Sequence, residues 1–222
     1  MTTPMDHVNS GLHAAREPRQ KDSARTRALI LAAAQHTFGG HGYADAGLRE
    51  IARDAGVNVA LVARYFGSKE KLFEAALDDM LTRASLWENP RESFGKTIVS
   101  QFTDAAGGAM NPLPVLMLAS GDAGAQAVAL SLIRARVLAP LAAWLGDPNG
   151  EERAAEILAL CAGFFTYRIM LPLESFSGGL SPEIRTWLEA SLQAIVDRSG
   201  GAPQSLAPPP PRRGETDDDV ES

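Results

Sequence analysis

From residue 22 to residue 198, apolar positions recur every three or four residues, and the period-two alternation of a half-buried strand is absent. The first such stripe predicts a helix from Asp22 or Ser23 to Gly39-Gly40, with Ile30, Ala33, Ala34, Thr37 and Phe38 on one face. A short helix over 47–55 follows, with Leu48, Ile51, Ala52 and Ala55 in register, and Gly56 ends it. Asn58 then caps a third helix over Val59 to Tyr65, and Ser68 caps a fourth striped by Leu72, Phe73, Ala76, Leu77, Met80 and Leu81. Further helices are predicted over 91–106, 112–121, 125–146, 151–171 and 181–198. The 151–171 segment is apolar on most faces, so it is expected to be buried against more than one neighbour. The last helix gathers Ile184, Trp187, Leu188, Ser191, Leu192, Ile195 and Val196 on one broad apolar side. The predicted fold is all-α, with a three-helix N-terminal helix-turn-helix domain over 22–72 and a larger helical bundle over 73–199.

The two ends break this pattern. Residues 1–21 are polar and aperiodic and read as a flexible arm, whereas 200–222 open on Gly-Gly, pass four consecutive prolines and end acidic, a composition that builds no core. The N-terminus shows no apolar signal segment, and polar residues interrupt the apolar runs before bilayer length, so a cytoplasmic protein without a membrane partner is expected. One cysteine excludes an internal disulfide framework and a cysteine-built zinc site. The formal net charge of -6 argues against a polyanion partner only on average. Residues 1–72 carry 10 Lys+Arg against 7 Asp+Glu, while 73–211 carry 9 against 15, so the basic charge sits at one end.

The stretch LREIARDAGVNVALVARYFGSKEKL from Leu48 to Leu72 explains that asymmetry. Two short helices joined by a tight turn at Gly56, the second poor in acids, form the pattern of a helix-turn-helix whose second helix fits the major groove. Phe38 with Gly42-Tyr43, then Leu48-Arg49-Glu50-Ile51-Ala52, Ala55-Gly56-Val57-Asn58, and Tyr65-Phe66-Gly67-Ser68-Lys69-Glu70-Lys71-Leu72 follow one another at fixed spacing. In these residues the chain resembles the TetR family of bacterial repressors, over about residues 25–77.

The resemblance implies a sequence-specific transcriptional regulator, a ligand-responsive repressor that binds a palindromic operator in double-stranded DNA as a homodimer. It implies DNA contact by Arg49 from the second helix and by Val59, Ala60, Leu61, Ala63 and Arg64 from the recognition helix. Tyr65 and Lys69 match phosphate-contacting positions. The family usually carries Thr at the position of Gly47 and Tyr at that of Ala63. This recognition helix is therefore unusually apolar, and base reading is expected to lean on thymine methyls, Arg49, Arg64 and DNA shape.

The body is expected to bind a ligand and to dimerise. Trp87, Phe102, Met117, Phe164 and Tyr167 are candidate pocket walls, and a small apolar or cationic effector is expected because basic residues look scattered there. Phe164, Phe165, Ile169, Leu188, Leu192 and Ile195 are expected to seal a dimer through the last two helices. No cofactor, metal site or catalytic set is expected. Ser93-Phe94-Gly95-Lys96 lacks the partner motifs of a Ser-x-x-Lys enzyme, and Cys161 sits in an apolar helix far from any histidine. The other reading is a helical carrier or enzyme whose N-terminal motif does not bind DNA.

Overall fold

The computed structural model describes residues 16–83, 86–103 and 111–198, with side chains from Asp22 onward. The expected tail over 200–222 and residues 1–15 of the expected arm lie outside the described residues. Within them every regular element is helical: α1 Arg16–Asp45, α2 Leu48–Asp54, α3 Val59–Phe66 and α4 Lys69–Arg83 come first. A single 3-10 turn, Arg91–Ser93, leads into α5 Phe94–Thr103, and α6 Leu113–Ala119 follows. Then come α7, Ala123–Leu145 with a π turn at Arg134–Leu138, and α8, Gly150–Phe165 extended by a π turn at Thr166–Met170. Pro182–Asp197 is α9.

Helix α1 departs from expectation at both ends. It starts at Arg16, inside the expected arm, and it runs through Gly39-Gly40; the helical dihedrals break at Gly42, with φ 78° and ψ 174°. Two glycines inside a helix cost about 1 kcal/mol each relative to alanine. Here α6 packs against Gly39, with Val115 Cγ2 lying 3.5 Å from a Cβ placed there. Tertiary contact thus overrides the local break.

Helix α4 joins the two halves of the molecule. All six residues of its predicted stripe are buried. On the α1 side, the buried Gln35 amide donates to the Ala76 carbonyl at 3.1 Å and to Asp79 Oδ2 at 2.8 Å. On the α7 side, Arg136 donates to Asp78 at 2.6 Å. The core runs without interruption from Ile30 and Phe38 through Leu77 to Phe94, Ile157 and Leu192.

The π turn in α7 has a physical reason in the chain. Pro140 cannot donate a backbone hydrogen bond, and its ring collides with the carbonyl of residue 136 in a regular helix. The extra residue per turn at 134–138 absorbs that clash. Helix α8 also widens into a π turn and ends at Leu171, whose φ of -129° is non-helical, as suits a residue before proline. By length and composition α7 could cross a membrane, with a mean hydropathy of 1.6. Arg134 and Arg136 sit in its middle, and Arg136 holds α4.

Three arginines that look scattered in sequence converge in space. Arg153 is only 5% exposed and donates to the carbonyls of Leu145 (2.8 Å), Gly146 (2.7 Å) and Arg198 (2.8 Å), closing the C-terminal ends of α7 and α9. Arg91 donates to the Trp144 carbonyl at 2.5 Å with its guanidinium over the Trp144 ring, and Arg198 pairs with Glu156. Burial lowers the Arg153 pKa, and the charges of Arg91 and Arg198 lower it further. The carbonyl ends of two helices, negative by their dipoles, hold this buried cation in place of a carboxylate.

The broad apolar side of α9 is divided differently from the expectation. Leu188 and Leu192 are buried within the protomer at 2% and 3% exposure, and Phe165 is buried with its ring 4.4 Å from Phe102. These three, together with Phe164 at 7% exposure, therefore belong to the protomer core and not to a surface for a second copy. The reason is the approach of α5: a Cβ on Gly95 would overlap the Glu189 carbonyl, and the Gly95 N–H donates to Gln193 Oε1 at 3.1 Å. That contact brings α5 over the Leu188–Leu192 stripe. Ile195 is half-buried, whereas Ile169 (45%) and Trp187 (53%) remain exposed.

A cavity of about 10 Å³ lies among Val99, Phe102, Leu160, Cys161, Phe164, Leu188 and Leu192, room for about one water. Of the five candidate pocket walls, Phe102 and Phe164 line this cavity, whereas Trp87, Met117 and Tyr167 do not. Trp87 packs half-buried on the core, and Met117 and Tyr167 are exposed. Burial pushes the Cys161 thiol up to about 12, which keeps it protonated and poorly nucleophilic at neutral pH.

Candidate nucleic-acid interface

The α2–turn–α3 unit is fixed by a few local devices. Ile51, Ala52 and Val62 are buried, so α2 and α3 cross over small and branched side chains. Gly56 turns the chain with φ 67°, a conformation that side-chain-bearing residues rarely adopt, and the Val57 N–H donates to the Ala52 carbonyl at 2.9 Å. Asn58 caps α3 through Oδ1, which accepts from the Ala60 N–H at 2.9 Å. The Ser68 hydroxyl accepts from the Lys71 N–H at 3.1 Å and caps α4.

With Val62 and Phe66 turned into the core, α3 presents Val59, Ala60, Ala63 and Arg64 to solvent. Leu61 is half-buried, so it contributes an edge of that face and not its centre. Arg49 is exposed on α2, and neither Arg49 nor Arg64 has a hydrogen-bond or ion-pair partner among the described residues. The nearby acids are held back. Glu50 lies 3.5 Å from His41 and 3.6 Å from Arg53, and Asp54 accepts from Arg53 at 3.0 Å.

The two phosphate-type residues are tethered. Tyr65 is half-buried and its hydroxyl lies 3.1 Å from Ser23 Oγ on α1. Lys69 Nζ donates to the Ala44 carbonyl at 3.1 Å and stands 4.8 Å from the centre of the Tyr43 ring. Two of its three protons stay free for an anion. Tyr43 packs edge-on against Phe73 at 5.2 Å. Its pKa is raised by burial first, and then by the charges of Asp122 and Glu70, so it remains a neutral phenol beneath the ammonium. The Arg27 guanidinium covers Phe66 at 5.1 Å from the ring centre.

Ser23, Arg27 and Tyr43 are therefore part of this surface, although sequence reasoning did not assign them to it. Ser23 and Tyr65 are 42 residues apart, and no local pattern announces their contact.

The arrangement is a protruding helix flanked by cations that lack acidic partners among the described residues, at the basic end of an acidic chain. Comparison with known proteins agrees with it. A family model of bacterial regulatory proteins, tetR family, matches residues 30–76, and one of the tetracyclin repressor-like C-terminal domain matches residues 92–196. The chain is a TetR-family DNA-binding transcriptional regulator.

Within the family, a 55-residue segment is 40% identical to the HTH-type transcriptional regulator BetI of Agrobacterium fabrum, over 25% of this chain. The match spans 27% of that relative's length. Among solved structures, a TetR-family protein from a Rhodococcus species superposes with a TM-score of 0.63 at 14% identity, covering 78% of this chain and 99% of its own. A TetR-family regulator from Cytophaga hutchinsonii gives 0.58 at 18% identity, covering 79% and 94%. At these identities the likeness establishes the fold of this TetR-family chain, body included.

Proposed function

We propose that this regulator is a repressor that occupies a palindromic operator as a homodimer and releases it when a small apolar molecule enters its body. The observation that carries the reading is the outward face of α3, bordered by Arg49 and Arg64, which have no partner among the described residues, and by the tethered Lys69. Two such helices read successive major grooves on one side of a duplex, about 34 Å apart, when a two-fold axis relates the protomers. The second copy docks on the outer sides of α8 and α9. Trp187 and Ile169 are exposed there, together with the small residues Ala155, Ala159, Gly163, Ala190 and Ala194. Such a regulator works in the cytoplasm, without catalysis.

The effector reading is supported by the all-apolar walls of the cavity between α5, α8 and α9. At about 10 Å³ the cavity is closed to anything larger than water, so a ligand binds by parting those helices. An effector that switches the protein must prefer the parted state by several kcal/mol.

A gel shift with the DNA flanking the gene, read over a salt series, tests the DNA-binding half. A discrete complex that weakens steeply with salt supports the proposal, and binding no tighter than to random DNA opposes it. Thermal-shift screening with hydrophobic amphiphiles, lipophilic cations and nucleotides tests the effector half, and stabilisation by nucleotides alone would overturn it.

A further inference from the structure

We infer that α3 selects its operator through the C5-methyl groups of pyrimidines in the major groove, with Val59, Ala60 and Ala63 as the specificity-determining residues. The inference rests on the operator reading above and names the chemistry of the bases read.

The first residues of a recognition helix come closest to the base edges. In α3 these are Val59, 39% exposed, then Ala60 and Ala63, also exposed, none with a side-chain donor or acceptor. The acceptor atoms beside them are engaged. Asn58 Oδ1 accepts from the Ala60 N–H, the Tyr65 hydroxyl is bonded to Ser23, and the Ser68 hydroxyl accepts from the Lys71 N–H. Hydrogen-bonded reading is left to donors alone: the Asn58 amide NH2 at the start of α3, Arg64 in its last turn and Arg49 from α2.

A base edge facing Val59, Ala60 or Ala63 would lose its water without gaining a partner, unless it offers an apolar group. The C5-methyl of thymine is that group in the major groove. Alanine at 60 and 63 also leaves little side chain between the helix backbone and the groove floor, so a methyl falls within van der Waals reach. A 5-methylcytosine carries the same methyl on the same ring carbon, whereas cytosine and uracil do not. Either methylated pyrimidine satisfies these positions.

The test uses the full chain and the operator it selects from random duplexes. Each half-site thymine is replaced in turn by deoxyuridine, which removes the methyl and leaves base pairing unchanged. Loss of each contacted methyl is expected to weaken binding roughly three- to fivefold. At the same positions, a 5-methylcytosine·guanine pair is expected to bind better than cytosine·guanine by a similar factor. Val59→Ala and Ala63→Ser, each checked for a wild-type melting curve, are expected to abolish thymine–uracil discrimination at one position apiece while leaving it at the others.

Binding within about 1.5-fold for every uracil substitution would overturn the inference while leaving the operator reading intact. Discrimination that persists unchanged in both variants and in Ala60→Ser would also overturn it, because the methyl would then act through DNA shape. Failure to select any operator would instead overturn the reading on which it rests.

Discussion

Arg64 and Lys69 carry the same charge on the same surface but are held in different ways, and that difference sets what each can do. Lys69 is anchored between the Ala44 carbonyl and the Tyr43 ring, so its ammonium is a fixed point charge. Lys69→Ala is expected to weaken binding uniformly across operator variants and to reduce the salt slope by about one unit. Arg64 is exposed with no tether among the described residues, and its planar fork suits a guanine edge. Arg64→Ala is expected to cost about 1–3 kcal/mol and to relax preference at one base pair per half-site. Equal losses on specific and random DNA would remove its base-reading role. At this scale the residues of the turn were legible because their partners are local: Gly56, Asn58 and Ser68 each act within a few positions of themselves. The tethers were not, since Ser23 meets Tyr65, and Ala44 meets Lys69, only once α1 folds over the motif.

Single elements show where periodicity stops being informative. The stripe of α4 is buried as predicted, because that helix has neighbours on both sides. The apolar side of α9 was equally visible, but a stripe does not state which body covers it. Gly95 settles the matter by admitting α5 against the α9 backbone, and the inner residues Leu188 and Leu192 go to the protomer core. The π turn of α7 escaped because it answers to Pro140 and leaves no mark on the hydrophobic period. Arg153 escaped as well, since a charged residue on a predicted helix reads as solvated. It is instead the staple between the ends of α7 and α9. Arg153→Met strips charge-assisted bonds from three closely held carbonyls and is expected to destabilise the fold by about 3 kcal/mol or more. A denaturant midpoint unchanged from wild type would contradict the clamp.

For the whole molecule, the division of α9 into an inner and an outer face gives a clean separation of folding from assembly. Leu188→Glu buries a charge in the protomer and is expected to prevent folding. Trp187→Glu and Ile169→Glu change exposed residues and are expected to keep the helical circular-dichroism signature of the folded protomer while giving monomers in sedimentation. A Trp187→Glu, Ile169→Glu double variant that stays dimeric would move the interface elsewhere. The monomer is also expected to lose operator binding, since one recognition helix covers one half-site. Sequence-specific recognition by a two-fold pair of α3 helices is the central claim, and selection from a pool of random duplexes by the full chain tests it most directly. The expected product is an inverted repeat with half-site centres about one helical turn apart. Enrichment of an asymmetric site, or of no sequence at all, would contradict it.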